Sequence, residues 1–354
     1  ETMNIDEYLN TFSKFTKDPN LDAMKYLMEK FDNPQKKLKI VHVAGTNGKG
    51  SVCEMINNCL VEAGYNVGKF MSPHLITFND GICINNKPIL DTEVEEILIP
   101  LSKVIEEYNK THKVPVKWFE VITSLAFIYF YKKQCDIAII ETGLGGTTDC
   151  TNIVEPLVSV ITTIGYDHMD ILGKNLKEIM SHKAGIIKSN SETIFIDQPE
   201  VVDIVKEKCK KEKNTLHLIK TEDIENYEYN EYFQNFDYKQ YKNIEINLKG
   251  KVQTLNAAEA LETIDILKQR GYNIDETAIR DGLKTIVHKA RMEKLVNNPC
   301  IIFDGGHNEN AIRNLKQNIE QYYKNKKKKK QQYAKTSSNH LINLCICSII
   351  TKER

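Results

Sequence analysis

The sequence predicts an α/β fold: a mainly parallel sheet carrying a phosphate-binding loop, followed by an incomplete Rossmann-like unit. Three observations predict it. Short Val- and Ile-rich runs alternate with longer segments of helical spacing, a glycine-rich turn bearing one lysine follows the first such run, and a fresh strand signal at Cys300-Ile301-Ile302-Phe303 ends on Asp304.

The elements follow in order. Residues 5–31 space apolar and charged positions at helical intervals, with Leu21, Met24, Leu27, Met28 and Phe31 as one stripe, and Pro34 is expected to close the segment. Strands are expected at 38–44, 66–71, 136–141, 157–163 and 192–196, with crossover helices at 52–64, 91–110 and 117–133. Ligand loops of such a sheet lie beyond the carboxyl ends of its strands. Residues 221–250, rich in Tyr, Asn, Lys and Glu, read as irregular strands, and 254–270 and 275–285 as helices. A junction near 286–295 divides the chain into a nucleotide-binding unit, 1–290, and the start of a second unit, 291–354, with an atypical Lys-rich tail from about 321.

Composition narrows the function. The 354 residues suffice for two domains, and Lys plus Arg equals Asp plus Glu at 48 each, which gives no global pull toward nucleic acid. Nine cysteines are scattered without C-x-x-C pairs, as reduced thiols of a cytoplasmic protein would be. The opening residues carry acidic and polar groups and no apolar signal core, and the late apolar run 341–350 is too short to span a bilayer. No membrane partner is therefore expected, and the chain is expected to be a monomer.

The chemistry starts at residues 40–52, I-V-H-V-A-G-T-N-G-K-G-S-V. A strand opening through glycines into a helix lets the backbone N–H groups of Gly45, Thr46, Asn47, Gly48, Lys49, Gly50 and Ser51 converge on polyphosphate oxygens, with Lys49 supplying charge. The loop is shorter than G-x-x-x-x-G-K-[ST] and places Gly50 between lysine and hydroxyl.

The wording G-T-N-G-K-G-S resembles that of the ATP-dependent amide ligases that make folylpolyglutamate and dihydrofolate, relatives of the peptidoglycan Mur ligases. Four further motifs extend the resemblance in the same order: Met71-Ser72-Pro73-His74-Leu75; Glu141-Thr142-Gly143-Leu144-Gly145-Gly146; Asp167-His168 through Gly173 with Lys183-Ala184-Gly185-Ile186; and Asp304-Gly305-Gly306-His307-Asn308. It implies a Mur ligase central-domain fold for the first unit, the start of a C-terminal ligase domain for the second, and ATP and Mg²⁺ as cofactors.

The resemblance also implies roles. Ser72, Glu141 and His168 match magnesium-site residues, although alone Ser72 reads as a turn residue, Glu141 as a capping or surface carboxylate and His168 as a structural histidine. Lys183 matches a lysine that carries a carbamate made from CO₂, the plain alternative being a helix lysine paired with a carboxylate; relatives place glutamate where this chain has His182. Gln253 and Asn256 match adenine-side residues, Arg291 an arginine reaching the phosphates, and Asp304 and His307 ribose and phosphate contacts. Phe119, Glu120 and Thr123 match a pteridine-side F-E-x-x-T, or equally form an amphipathic helix face, and Asp149 falls in the segment beside them. Lys49, Lys183 and His168 are the residues expected to serve catalysis.

The chain also departs from the family. Phe78-Asn79-Asp80-Gly81-Ile82 and Gly146-Thr147-Thr148-Asp149-Cys150-Thr151-Asn152 each lack an arginine that relatives have, which weakens the case for a carboxylate-rich substrate. After Ile319 the family expects a longer continuation; here a lysine run leads into an aperiodic tail, read as a solvated segment, a nucleic-acid tail or the product of a frame change, with weak ligase activity as its consequence. The expected function is ATP-dependent addition of L-glutamate to a folate or dihydropteroate carboxylate through an acyl phosphate. The alternatives are an ATP-binding remnant without turnover and a Mur-type ligase acting on a UDP-sugar peptide.

Overall fold

The computed structural model describes the chain apart from residues 1–2, 15–18, 75, 297–299, 324–326, 335–343 and 351–354, and gives 327–334 and 344–350 as backbone alone. Leu75 of the second motif and the start of the lysine run therefore lie outside the described residues.

The N-terminal apolar stripe divides into two helices, α1 (Ile5–Asn10) and α2 (Asp22–Lys30). Asn4 caps α1 by accepting from the Glu7 N–H at 3.1 Å. Pro34 starts a helix instead of closing one: it occupies the first turn of α3 (Pro34–Lys37), where a missing N–H leaves no bond unmade. The chain then runs through β1 (Ile40–Ala44), α4 (Lys49–Glu62), β2 (Val67–Phe70), a hairpin of β3 (Ile82–Ile84) and β4 (Lys87–Pro88), α5 (Asp91–Thr111), α6 (Trp118–Lys132), β5 (Ile137–Glu141) and β6 (Val158–Ile161). After these come α7 (Met169–Leu172), α8 (Leu176–Lys183), β7 (Glu192–Ile196), α9 (Val202–Glu212) and β8 (Thr215–Ile219). The hairpin, α9 and β8 carried too little periodicity to be read from sequence.

These strands form one sheet in the order β4-β3-β2-β5-β1-β6-β7-β8. From β2 to β8 every pairing is parallel, and only the hairpin runs antiparallel. Alternation within the strands serves both faces: Val41 and Val43 pack with Ile137 and Ile139 against α4, while Ile40 packs with Ala138 and Ile140 under α2, α5 and α6. β1 sits at the centre with β5 on one side and β6 on the other. The crevice between the loops leaving these three strands is where an open parallel sheet binds ligands.

The irregular strands expected at 221–250 are an antiparallel sheet, β9 (Ile224–Tyr229), β10 (Gln234–Tyr238) and β11 (Tyr241–Ile246), in the order β11-β10-β9. Next, α10 (Val252–Gln269) and α11 (Glu276–Lys284) bury Leu261, Ile264, Ile279 and Leu283 in the same core as α4. Asp275 caps α11, accepting from Ala278 N–H at 2.7 Å.

The last unit contains β12 (Glu293–Val296), β13 (Cys300–Asp304), α12 (Glu309–Tyr322), β14 (Lys327–Ala334) and β15 (Leu344–Ile350). The β13–α12 step matches the expectation. The strand order β12-β13-β15-β14 is antiparallel throughout, so 327–334 and 344–350 are paired backbone where an aperiodic tail was expected. The late apolar run is rich in the β-branched residues that favour strands, and the lysine-rich run forms the edge strand β14. Among the described residues no helix is long and apolar enough to cross a membrane.

Candidate active site

The turn after β1 is held from beneath. Thr46 and Asn47 donate their N–H groups to the Thr163 carbonyl at 2.9 and 3.3 Å, and the Thr162 and Thr163 hydroxyls donate to the Asn47 carbonyl at 2.7 and 3.2 Å. These two amides, expected to face phosphate, are instead the anchors of the loop. Gly45 has φ +147° and lies so close to Thr162 that a Cβ would fall 1.8 Å from its Oγ1, while Gly48, at φ +94°, turns the chain into α4. The first turn of α4, Lys49 to Ser51, has no side-chain cap, which leaves its N–H groups and the positive end of the helix dipole for an anion.

Two lysines converge on one carbonyl. Lys49 Nζ donates to the Gly45 and Thr46 oxygens at 3.2 and 3.4 Å, and Lys183 Nζ, from the last turn of α8, donates to the Gly45 oxygen at 2.7 Å. Lys183 is 4 % exposed. Burial, with the charge of Lys49 added, lowers its ammonium from 10.5 to about 7. It forms no ion pair among the described residues, so the plain reading of a lysine paired with a carboxylate is not what the structure shows. The loop after β5 packs on this helix end: a Cβ at Gly146 would stand 2.7 and 2.8 Å from the His182 and Lys183 carbonyl oxygens.

Glu141 ends β5 with its carboxylate buried, and its Oε2 accepts the Ser72 N–H at 3.1 Å. Burial raises its pKa against the pull of Lys49, the Ser72 bond and Arg291. His168 starts α7 with φ +48°; burial lowers its pKa, Asp167 opposes this, and Lys49, His307 and Lys183 add to it. Among the described residues no three His, Cys, Asp or Glu side chains form a metal cage. Of Ser72, Glu141 and His168, the Ser72 hydroxyl and the buried Glu141 carboxylate are oxygen donors of the kind Mg²⁺ takes, whereas the His168 imidazole is a softer nitrogen donor.

Residues from beyond α11 border the same crevice. Arg291 Nη1 donates to the Ala290 carbonyl at 3.0 Å, and the Gly305 N–H reaches that carbonyl at 2.8 Å. Asp304 accepts from the N–H groups of Met292 and Gly306 at 2.9 and 2.8 Å, which fixes the turn at the end of β13. His307 stands 3.5 Å from Asp167 across the crevice, and Asn308 donates to Asp167 at 3.2 Å. Burial alone would raise the Asp167 carboxyl; the His307 and Asn308 hydrogen bonds and the His168 and His307 charges hold it well below the usual range, and the same pairing raises His307. Asn256 lies behind Gly48, held by Gln253 at 2.8 Å, with its Oδ1 buried and unbonded.

The substrate-side residues are divided. Phe119 lies against Gly143 and tilts against Phe70 at 5.8 Å, and Asp149 sits beneath the same glycine, accepting from the Leu144 N–H at 2.7 Å and the Thr151 N–H at 3.0 Å. Burial raises the Asp149 carboxyl against those bonds. Glu120 spends a carboxylate oxygen on the Lys117 N–H at 2.7 Å, capping its own helix, and Thr123 is fully buried with an unbonded hydroxyl. Sequence reasoning did not single out Asp167, Asn308, Thr162, Thr163 or His288 as site residues. The first two lay inside quoted motifs, whereas the threonines and His288 carry no local signal.

A family model described as "Mur ligase middle domain" matches residues 43–264. The dihydrofolate synthase/folylpolyglutamate synthase of Bacillus subtilis (strain 168) is 38% identical over 322 residues, covering 88% of this chain and 74% of that protein. The dihydrofolate synthetase of Saccharomyces cerevisiae is 33% identical, over 86% and 73%. Among solved structures, an FPGS–AMPPCP–folate complex superposes with a TM-score of 0.85 at 31% identity, covering 90% of this chain and 80% of that one. The Mycobacterium tuberculosis folylpolyglutamate synthase complexed with ADP gives 0.82 at 26%, over 89% and 72%. With a middle-domain match over more than half its length and relatives above 30% identity across most of theirs, the chain belongs to the folylpolyglutamate synthase/dihydrofolate synthase family of Mur ligases.

Proposed function

We propose that this chain is an ATP-dependent ligase that joins L-glutamate to the carboxylate of a folate or of dihydropteroate. The observation that carries the reading is the convergence of Lys49, Lys183 and the uncapped start of α4 on the turn after β1, with Glu141 buried beside them. An ATP polyphosphate supplies the negative charge this cradle needs. The substrate carboxylate oxygen attacks the γ-phosphorus and ADP leaves, giving an acyl phosphate; the glutamate amine then attacks the acyl carbon, losing a proton as phosphate departs. Lys49, Arg291 and the α4 N–H groups stabilise the charge that develops on the transferring phosphoryl, the main source of catalysis in such transfers.

Ser72, Glu141 and His168 would hold Mg²⁺, which when bound neutralises phosphate charge. Lys183 would bear a carbamate: its ammonium titrates near 7, which leaves a neutral amine available to CO₂. Phe119 and Asp149 border the pteridine side, with Glu120 and Thr123 shaping the helix behind them. Asn256, Asp304 and His307 complete the nucleotide's surroundings. The protein acts as a cytoplasmic monomer, its described cysteines remaining thiols.

The test is ADP release with dihydropteroate and with tetrahydrofolate, each with and without glutamate. Glutamate-dependent release with one or both supports the reading and selects the substrate. ATP binding without any amide product would make the chain a nucleotide-binding remnant.

A further inference from the structure

The phosphate loop is gripped at both ends by residues from beyond α11. At its start, Asn47 and Asn308 exchange amide hydrogen bonds: Asn308 Nδ2 donates to Asn47 Oδ1 at 2.9 Å and Asn47 Nδ2 donates to Asn308 Oδ1 at 3.3 Å. At its end, the Ser51 hydroxyl lies 3.1 Å from His288 Nδ1, and the imidazole rests so closely on Gly50 that a Cβ there would meet Cε1 at 3.0 Å and Nε2 at 3.1 Å. His288 stands in the middle of the linker between α11 and β12. That linker is tied on both sides, by Asn247 Nδ2 donating to the Ile286 carbonyl and by Gly305 N–H donating to the Ala290 carbonyl, both at 2.8 Å, and His288 lies three residues before Arg291.

We infer that His288 and Asn308 are positioning residues that fasten the two ends of the phosphate loop to the C-terminal unit, so that nucleotide on the loop and Arg291 on the linker are set in place together. The inference rests on the loop being an ATP site. A hydroxyl has one donor and two acceptor positions. With the proton on His288 Nδ1, the imidazole donates to Ser51 Oγ and the Ser51 proton is left for a phosphate oxygen, so the two bonds strengthen each other. Asn308 acts by a separate route, holding Asn47 and Asp167 while its own Oδ1 caps α12 at the Ala311 N–H, 3.0 Å away. Coupling between two sites is reciprocal: whatever factor the docked linker adds to nucleotide affinity, nucleotide adds to linker docking.

The experiment is a double-mutant cycle on the full chain, with AMPPCP and Mg²⁺ as the probe and calorimetry as the readout. His288→Ala is expected to weaken AMPPCP about fivefold, a typical coupling. In the Ser51→Ala background the same substitution should add less than a twofold loss. Hydrogen exchange over 286–292 should slow on AMPPCP binding in the parent and not in His288→Ala. At saturating ATP, glutamate-dependent ADP release should fall about tenfold or more in His288→Ala, because small displacements of a catalytic group are costly in rate, and His288→Asn should restore part of it. Asn308→Ser, which keeps a cap acceptor and loses the amide, should lower turnover in the same way. Additive losses in the cycle, or equal linker protection in parent and His288→Ala, would overturn the inference while leaving ATP binding intact. A parent that binds no AMPPCP would overturn the ATP reading and the inference with it.

Discussion

Lys183 offers the sharpest test of the chemistry. An amine with the ordinary value of 10.5 is neutral at pH 7 in only about 0.03% of molecules, whereas one lowered to about 7 is neutral in about half. Burial thus raises the reactive fraction on the order of 1,000-fold. Carbamate formation takes one CO₂ onto the neutral nitrogen and releases one proton, so occupancy should climb between pH 6 and 8. Stripping CO₂ should lower ADP release and bicarbonate should restore it, while ¹³C-bicarbonate should give a carbamate resonance that Lys183→Ala lacks. The same shift has a stability consequence. A folded pKa below the unfolded one means that the unfolded chain binds more protons between pH 7 and 10.5, so folding stability rises with pH across that window. The total is roughly 5 kcal/mol before relaxation of the surroundings. Lys183→Met should therefore raise Tm at pH 6 and give far less advantage at pH 10. Activity indifferent to CO₂, no carbamate resonance and a fully active Lys183→Ala chain would refute the carbamate.

Three further outcomes are expected. Lys49→Ala should reduce ATP turnover on the order of 100-fold or more, and should also cost about 1 kcal/mol of stability, because Nζ holds the Gly45 and Thr46 carbonyls as well as facing phosphate; parent-level turnover would remove the loop from the mechanism. Glu141→Ala and His168→Ala should each raise the Mg²⁺ concentration needed for half-maximal ADP release, and an unchanged requirement in both would move the metal elsewhere. Glu259 is fully buried in α10 with both carboxylate oxygens unbonded, and burial raises its pKa well above the ordinary value. The unfolded chain then releases the proton first, so this residue costs stability increasingly as pH rises above the ordinary glutamate value; Glu259→Met should gain roughly 1–3 kcal/mol at pH 7 and little at pH 4, as urea denaturation would show.

How much of this was legible in the sequence follows from how local each cause is. β1, β5 and β6 were readable because strands buried on both faces are continuous apolar runs, and the loops after them carry glycines that the turn geometry requires. β8 was not, since Thr215-Leu216-His217-Leu218-Ile219 lies at the sheet edge, half-exposed, with a histidine that bonds Glu192 of the neighbouring strand at 2.7 Å. The N-terminal stripe read as one helix because periodicity survives an interruption that only the chain's path reveals. The C-terminal strands were missed for another reason: a lysine tract gives no alternation of apolar and polar residues, although its partner β15 is the next strand in the chain.

The site shows the same division more strongly. Lys49, Glu141 and Lys183 sit in short motifs whose residue types announce their chemistry, and all three meet around Gly45 and Ser72. What the motifs could not tell is which groups are already committed. The Thr46 and Asn47 amides belong to Thr163, Glu120 belongs to its own helix cap, and Thr123 is sealed in the core. The Thr163 contact joins distant segments and the Thr123 burial is tertiary, neither of which a motif encodes; the Glu120 cap is local, but the motif alone does not say that it takes the carboxylate. The converse holds for Asp167. In the sequence it is the neighbour of a candidate ligand, but in the fold it receives His307 and Asn308 from the second unit, which makes it the carboxylate on which the two halves of the site meet. A motif names the groups that can do chemistry; the bonds each group has already made decide which of them remain free to do it.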